Sequence, residues 1–275
     1  MTGSASLLQE GKAEEALAAL KNEVRTSPSD LELRSRLFAL HCVLGRWDKS
    51  LNDLSALKAM DPSWTIAAQV YENSIGAESV RRDVFAGRAK PVIMGEPQEW
   101  IAWNVQAIAL EAAAKAEEAT DLRARAFEAA PEYACDVNGQ KCQWISDADR
   151  RLGPILEAYL DGQYYWIPFG QLQKIDITAP EFLVESVWLP ARLLVAGGAE
   201  LAAQLPARYP GTESSTDGAL CLGRRTEWVR GQNGDSLPLG QKLIESNDGE
   251  FGLLECRVIA FEPPEQEQIS AGAEQ

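Results

Sequence analysis

In the stretch DADRRLGPILEAYLDGQYYWIPF, Asp147 to Phe169, two carboxylates, Asp147 and Asp149, stand beside two guanidinium groups, Arg150 and Arg151, and a run of aromatic side chains follows. Paired acids can divide into a proton donor and a proton acceptor, arginines can hold an anion, and aromatics such as Tyr164 and Trp166 can wall a pocket. The same residues also have a structural reading. An Asp at a helix start caps free backbone N–H groups, and ADRRLGPILEAYL places Leu152, Ile155, Leu156, Tyr159 and Leu160 on one helical face. Gly153-Pro154 marks a break or a start in that pattern, and Asp161-Gly162 reads as a turn. In YYWIPF, alternation puts Tyr164, Trp166 and Pro168 on one side and Tyr165, Ile167 and Phe169 on the other. Both sides are too apolar for a solvent-facing sheet, so one face is expected on strands and the other on helices. The stretch is read as an inter-domain seam, with Asp147, Asp149, Arg150, Arg151, Tyr164 and Trp166 as its residues. An enzyme built on the Asp147, Asp149, Arg150, Arg151 cluster is the rival reading.

Other constellations carry less chemistry. His41 is the one histidine, so a triad or a His-based metal site would have to use it, and its place in the helical run HCVLG suits a packed imidazole. Cys135 and Cys142 are six residues apart with no histidine nearby, whereas zinc sites favour closer pairs and four ligands. Five cysteines without a CxxC pair read as reduced structural thiols. The glycines of GRRTEWVRGQNGDSLPLGQ match no phosphate-binding pattern and read as turns. No catalytic, cofactor-binding or metal-ligating residue is assigned, and no cofactor is expected.

The elements that must position these residues differ between the two halves. Shifting the N-terminal region by 34 residues lays Gly11 on Gly45, Leu17 on Leu51, Leu20 on Leu54, Pro28 on Pro62 and Ser29 on Ser63. That is the period of a tetratricopeptide helix hairpin, with Gly at the turn and Pro after the second helix. Helices are predicted over Ser4–Gly11, Ala13–Thr26, Asp30–Leu44 and Trp47–Met60. A looser third unit ends at Pro131, with Trp103, Ala119 and Ala126 as packing residues. Between the units lies a helical insert from Thr65 to Gly87, then a connecting loop marked by Pro91, Gly95 and Pro97. Stacked hairpins of this kind leave a groove suited to a partner's helix or extended segment.

After Pro131 short β-branched and aromatic runs broken by Gly, Pro and Asp predict strands: Tyr164–Phe169, Lys174–Thr178, Leu183–Leu189, Leu220–Leu222, Thr226–Arg230, Gln241–Glu245 and Leu253–Phe261. In the last, Leu254, Cys256, Val258 and Ala260 are expected on one face, with NDGEFG before it as a hairpin turn. The fold class is therefore α+β: TPR-like helical hairpins over residues 1–132, a mixed α/β domain rich in antiparallel strands over 133–263, and a disordered tail over 264–275. The net charge of −15 repels phosphate backbones and anionic headgroups, which argues against nucleic-acid and membrane partners. The acidity is concentrated in the second half, where 11 basic residues face 21 acidic ones, against 15 and 20 in the first 132. With no signal peptide and no apolar run of spanning length, a cytoplasmic protein is expected.

Taken in order, LLQEGKAEEALAALKNEVRTSPSDLELRSRLFAL, DADRRLGPILEAYLDGQYYWIPFGQL, VWLPARL, ARYPGTE, RRTEW, GQKLIES and LLECRVIAF resemble the ImpE (TagJ, or SciE-type) accessory proteins of bacterial type VI secretion over nearly the whole chain. The resemblance implies a cytoplasmic, non-enzymatic adaptor. It also implies two partners: the small contractile-sheath subunit (TssB-like), through its N-terminal helix, and the ClpV-type AAA+ ATPase that recycles the contracted sheath. It supplies no catalytic residue. Composition and spacing alone equally suit a generic repeat scaffold for an unrelated partner.

Overall fold

The computed structural model describes residues 3–96, 98–231 and 234–262; the tail expected over 264–275, and Pro97 of the connecting loop, lie outside them. The N-terminal half is helical: α1 (Ser4–Gln9), α2 (Ala13–Thr26), α3 (Leu31–Val43), α4 (Trp47–Met60), α5 (Trp64–Phe85), α6 (Glu99–Ala112) and α7 (Ala116–Ala129). The 34-residue periodicity has a direct counterpart. Gly11 and Gly45 end α1 and α3 with φ of 76° and 63°, a left-handed turn that glycine enters without a Cβ clash. Leu17, Leu20 and Leu54 are buried in the core between the hairpins. The looser third unit is the α6–α7 hairpin, with Ala119 and Ala126 buried and Arg125 lying 4.5 Å over the Trp103 ring.

The second half forms β2 (Cys135–Val137), β3 (Gln140–Cys142), β4 (Ile145–Asp147), β5 (Ile155–Leu160), β6 (Gln163–Pro168), β7 (Leu172–Ile177), β8 (Trp188–Val195) and β9 (Glu200–Pro206). A short helix α8 (Gly218–Cys221) follows, then β10 (Thr226–Arg230), β11 (Ser236–Gly240), β12 (Leu243–Ser246), β13 (Gly249–Gly252) and β14 (Val258–Phe261). The expected connecting loop contributes β1 (Val92–Ile93), which joins the large sheet parallel to β6. The order of that sheet is β1-β6-β5-β9-β8-β7-β14-β2-β3, and its other pairings are antiparallel. A β13-β12-β4 sheet and the β10-β11 hairpin complete the strands among the described residues. The architecture is α+β, helical hairpins followed by a strand-rich unit with antiparallel sheets.

One face of the β5-β6-β8 region packs on the helices. Ile155, Tyr159, Tyr164, Trp166 and Trp188 join the helical core with Leu17, Phe38, Leu54 and Ile75. The opposite face, with Leu156, Ala158, Ile167, Leu189 and Leu193, lies in a second core with Val137, Ile175, Ile244 and Ile259.

Several sequence expectations give way. The amphipathic helix read through Ala148–Leu160 is a turn followed by strand β5: Gly153, at φ 70°, ends the turn and every side chain from Ile155 to Leu160 is buried. A strand buried on both faces has no polar side to reveal its period, so its apolar residues also fit a helical stripe. Asp147 and Asp149 still take up backbone N–H groups, two residues on, in a turn: Asp147 Oδ1 accepts from Asp149 at 2.9 Å and Asp149 Oδ1 from Arg151 at 3.0 Å. Leu183–Ser186 is a 3₁₀ turn, with strand β8 starting only at Trp188, and Leu220–Leu222 falls in and after helix α8. Of Leu253–Phe261 only Val258–Phe261 is strand. Its buried residues are Leu253, Cys256 and Ile259, spaced by three, because the chain turns before it pairs. Asp161 and Gly162, at φ 49° and 79°, form the two-residue β5–β6 turn, and Ser246 pairs with Gly249 across the NDGEFG turn.

Two glycines should respond to alanine in opposite directions. Gly218 begins α8 against the α1–α2 turn, where a Cβ would come within 2.0 Å of the Gly11 carbonyl oxygen, so Gly218→Ala should lower the melting temperature. Gly76 is exposed inside α5 with open space around it, so Gly76→Ala should raise stability by about 0.5–1 kcal/mol in denaturant titrations.

Candidate functional site: a buried charge cluster and an apolar pocket

Helix α5 places Glu78, Arg81 and Phe85 on one face, three and four residues apart, toward the sheet. Arg81 is buried and reaches Glu157, the one acid among the inward side chains of β5: its Nε donates to Oε1 at 2.7 Å and its Nη2 to Oε2 at 3.0 Å. Nη2 also donates to the Arg208 carbonyl at 2.9 Å. The Tyr164 hydroxyl donates to Glu157 Oε1 at 2.6 Å and receives the Trp166 indole N–H at 2.6 Å. Lys242, ahead of β12, lies 2.9 Å from Glu157 Oε2 and also pairs with Asp147. Asp149 accepts from Arg151 Nε at 2.9 Å and from Nη2 at 2.5 Å, and the Arg151 guanidinium lies 4.6 Å over the Phe85 ring. Glu78 lies 3.7 Å from Arg81 Nη1, so four acids and three bases meet in a volume shared by α5, β5, β6, the Asp147–Arg151 turn and the segment ahead of β12.

The electrostatics assign each proton. Burial pushes the Glu157 carboxyl upward, but the charges of Arg81 and Lys242 and their hydrogen bonds outweigh it, leaving it well below the usual range. Asp149 is likewise lowered, burial being overcome by Arg151. Asp147 goes the other way, to about 6, because its burial exceeds what Lys242 returns and Asp149 and Glu157 repel a further negative charge. Lys242 is raised, burial being offset by the two carboxylates.

Of the residues singled out from the sequence, Asp147, Asp149, Arg151, Tyr164 and Trp166 are buried in or beside this cluster, whereas Arg150 is exposed. Sequence reading missed Arg81, Glu157, Lys242 and Arg208. Glu157 had a local signal, a lone acid in the apolar run PILEAYL; Arg81 and Lys242 had none. Arg208 is buried and donates to the carbonyls of Val43, at 2.8 Å, and Cys221, so one cation closes the C-terminal ends of α3 and α8. His41 is buried in α3 with Nδ1 2.6 Å from Asp53 of α4. Cys135 and Cys142 face each other across β2–β3, and all five cysteines are free and buried.

A second feature is open to solvent. Between α3, α5 and the Phe182–Val184 segment lies a pocket of about 330 Å³, walled by Phe38, Trp64, Tyr71 and Leu183 with Ala39 and Ala67 between them. Trp188 of β8 stacks behind Tyr71, with ring centroids 6.3 Å apart.

Because every charge in the cluster has its partner, removing one leaves others buried and unpaired, at a cost of about 3–5 kcal/mol. Glu157→Gln should therefore lower unfolding free energy by that order in urea titrations, and Arg150→Gln should leave it unchanged. Asp147 carries a separate pH signature. Its contribution is fully present below its unfolded value near 3.8 and lost as pH rises through about 6, opposite in sign to those of Asp149 and Glu157. The stability of the wild type relative to Asp147→Asn should fall as pH is raised from about 4 to 6, at up to about 1.4 kcal/mol per pH unit.

Comparison with known proteins agrees with this architecture. Residues 139–260 match the family model described as ImpE protein. The chain is 42% identical over 257 residues to the type VI secretion system accessory component TagJ of Pseudomonas aeruginosa, covering 94% of this chain and 90% of that protein. The X-ray crystal structure of protein VPA1032 from Vibrio parahaemolyticus superposes with a TM-score of 0.85 over 96% of this chain and 99% of that one, at 24% identity, which shows a common fold. A match of this length and identity, running through both the helical hairpins and the strand-rich half, makes the chain a member of the ImpE/TagJ family of type VI secretion accessory proteins.

Proposed function

We propose that this type VI secretion accessory protein is a non-enzymatic cytoplasmic adaptor. It holds the N-terminal helix of the small, TssB-like sheath subunit and links it to the ClpV-type ATPase that recycles the contracted sheath. The observation that carries the reading is the 42% identity to TagJ over 94% of the chain. The helical hairpins supply a surface of the kind that receives amphipathic helices. Residues 1–132 and 133–263 act as two domains in this reading, and the charge cluster of Asp147, Asp149, Arg151, Tyr164 and Trp166 is their seam, with Arg150 at its solvent edge. A structural role for that cluster is supported by the carboxylate oxygens themselves. Both oxygens of Asp149 and of Glu157 are already engaged by protein donors, which leaves little for a substrate.

Calorimetric titration with a synthetic peptide of the cognate sheath subunit's N-terminal helix should give saturable binding near micromolar or tighter. A scrambled peptide of the same composition should give none. Binding of neither peptide, with no shift in melting temperature, would remove the sheath-helix role.

A further inference from the structure

Cys135 of β2 and Cys142 of β3 are register partners, so their side chains leave the same face of the hairpin side by side. Residues directly opposite on antiparallel strands have Cα atoms about 4.5–5.5 Å apart, within the span of about 4.4–6.8 Å over which two cysteines can be bridged. The turn between them, Asn138-Gly139 with φ of 54° and 91°, is of the two-residue kind that fixes register. Asn138 anchors that turn, its side-chain oxygen accepting from the Arg257 and Val258 N–H groups at 2.7 and 3.1 Å. The two sulfurs are therefore held opposite each other. The remaining cysteines lie apart on other elements: Cys42 on α3, Cys221 on α8, where its thiol donates to the Thr212 and Ser215 carbonyls at 3.4 Å, and Cys256 in the turn ahead of β14.

The pair also stands at a mechanical weak point. β3 is the last strand of the large sheet and has three residues, of which Gln140 and Lys141 are exposed and Cys142 is turned inward. β2 is better held, because β14 pairs with its other side and Phe261 is the register partner of Cys135 there. A short edge strand opens locally more readily than the strands behind it, and opening at β3 uncovers Cys142 before Cys135.

We propose that Cys135 and Cys142 form a redox clasp: a small neutral hydroperoxide converts them reversibly to a disulfide, which locks β3 onto the sheet edge. The oxidant class follows from the surroundings. Both cysteines face the apolar core that holds Val137, Ile175 and Ile259, and the chain carries a net charge of −15. A charged disulfide such as oxidised glutathione is repelled by that field and too large for the site, whereas hydrogen peroxide is neither. In the first step the Cys142 thiolate attacks one peroxide oxygen, the O–O bond breaks, and hydroxide leaves and takes up a proton as water. Cys142 is then a sulfenic acid. Cys135 Sγ attacks the Cys142 sulfur, the S–O bond breaks, and the hydroxyl leaves with the Cys135 proton as a second water. Two thiols and one peroxide thus give one disulfide and two waters. Burial, then the charge and hydrogen bond of Cys142 beside it, push the Cys135 thiol up to about 12, which suits Cys135 to the second step, where it brings a proton to the leaving group. Thiol–disulfide exchange with a reductant reverses the bond.

The test treats the folded wild type with hydrogen peroxide, blocks free thiols with N-ethylmaleimide and digests it unreduced. Trypsin cuts between the two cysteines, after Lys141, so the bond should join peptides 126–141 and 142–150 until dithiothreitol parts them. Two of the five thiols should be lost, and amide exchange in β3 should slow by about tenfold or more. Cys135→Ser, checked for folding by circular dichroism, should show neither the linked peptides nor the slowed exchange. Retention of all five thiols by the wild type, or a disulfide through any other cysteine, would overturn the pair. Linked peptides with unchanged exchange in β3 would overturn the clasp.

Discussion

Carrying an arginine from helix α5 into an apolar interface is unfavourable unless a carboxylate meets it there, and Glu157 meets it with both oxygens. The pair fixes more than its two residues. Glu157 is one step in a strand whose other inward side chains, Ile155 and Tyr159, belong to the helical core, so a one-residue slip of β5 would send the acid into the opposite core. Lys242 and Asp147 bring β12 and β4 to the same point, and the Arg208 carbonyl receives a further N–H from Arg81. Lys242 divides its pairing between Glu157 and Asp147, which ties the β4–β12 side of the cluster to this contact, while Asp149 is compensated by Arg151.

Around that polar centre the joint is aromatic. Trp47 of α4 and Tyr71 of α5 both stack on Trp188 of β8, at 5.8 and 6.3 Å, and Tyr71 meets Phe38 of α3 at 5.1 Å. Large flat side chains contribute much buried apolar area for few rotatable bonds, which holds α3, α4, α5 and β8 in a fixed relation. The row ends in the open pocket, whose inner wall is Phe38 and Tyr71.

The buried charges are spent on one another, and both carboxylate oxygens of Asp149 and of Glu157 are engaged by protein donors. Fully paired charges specify how the elements that carry them meet, here α5 against β5 through Arg81 and Glu157.

The sequence by itself determined what depends on near neighbours. The left-handed glycines Gly11 and Gly45 and the Asp161-Gly162 turn are local stereochemistry, each visible in a few adjacent residues, and the 34-residue recurrence of Leu17 and Leu20 repeats one such local pattern along the chain. The apolar duality of YYWIPF also told that strand β6 is covered on both faces, because side chains alternate strictly along a strand. The tertiary structure alone decided the rest. Whether ILEAYL is helix or strand depends on covering both its faces with cores built from residues as distant in the chain as Leu17 and Ile259, and no pattern inside the segment records that. The partners of Glu157 lie 76 residues upstream and 85 downstream in the chain. Charge pairing acts through space and leaves no periodicity, so Arg81 and Lys242 look like ordinary surface residues until the fold brings them to one carboxylate.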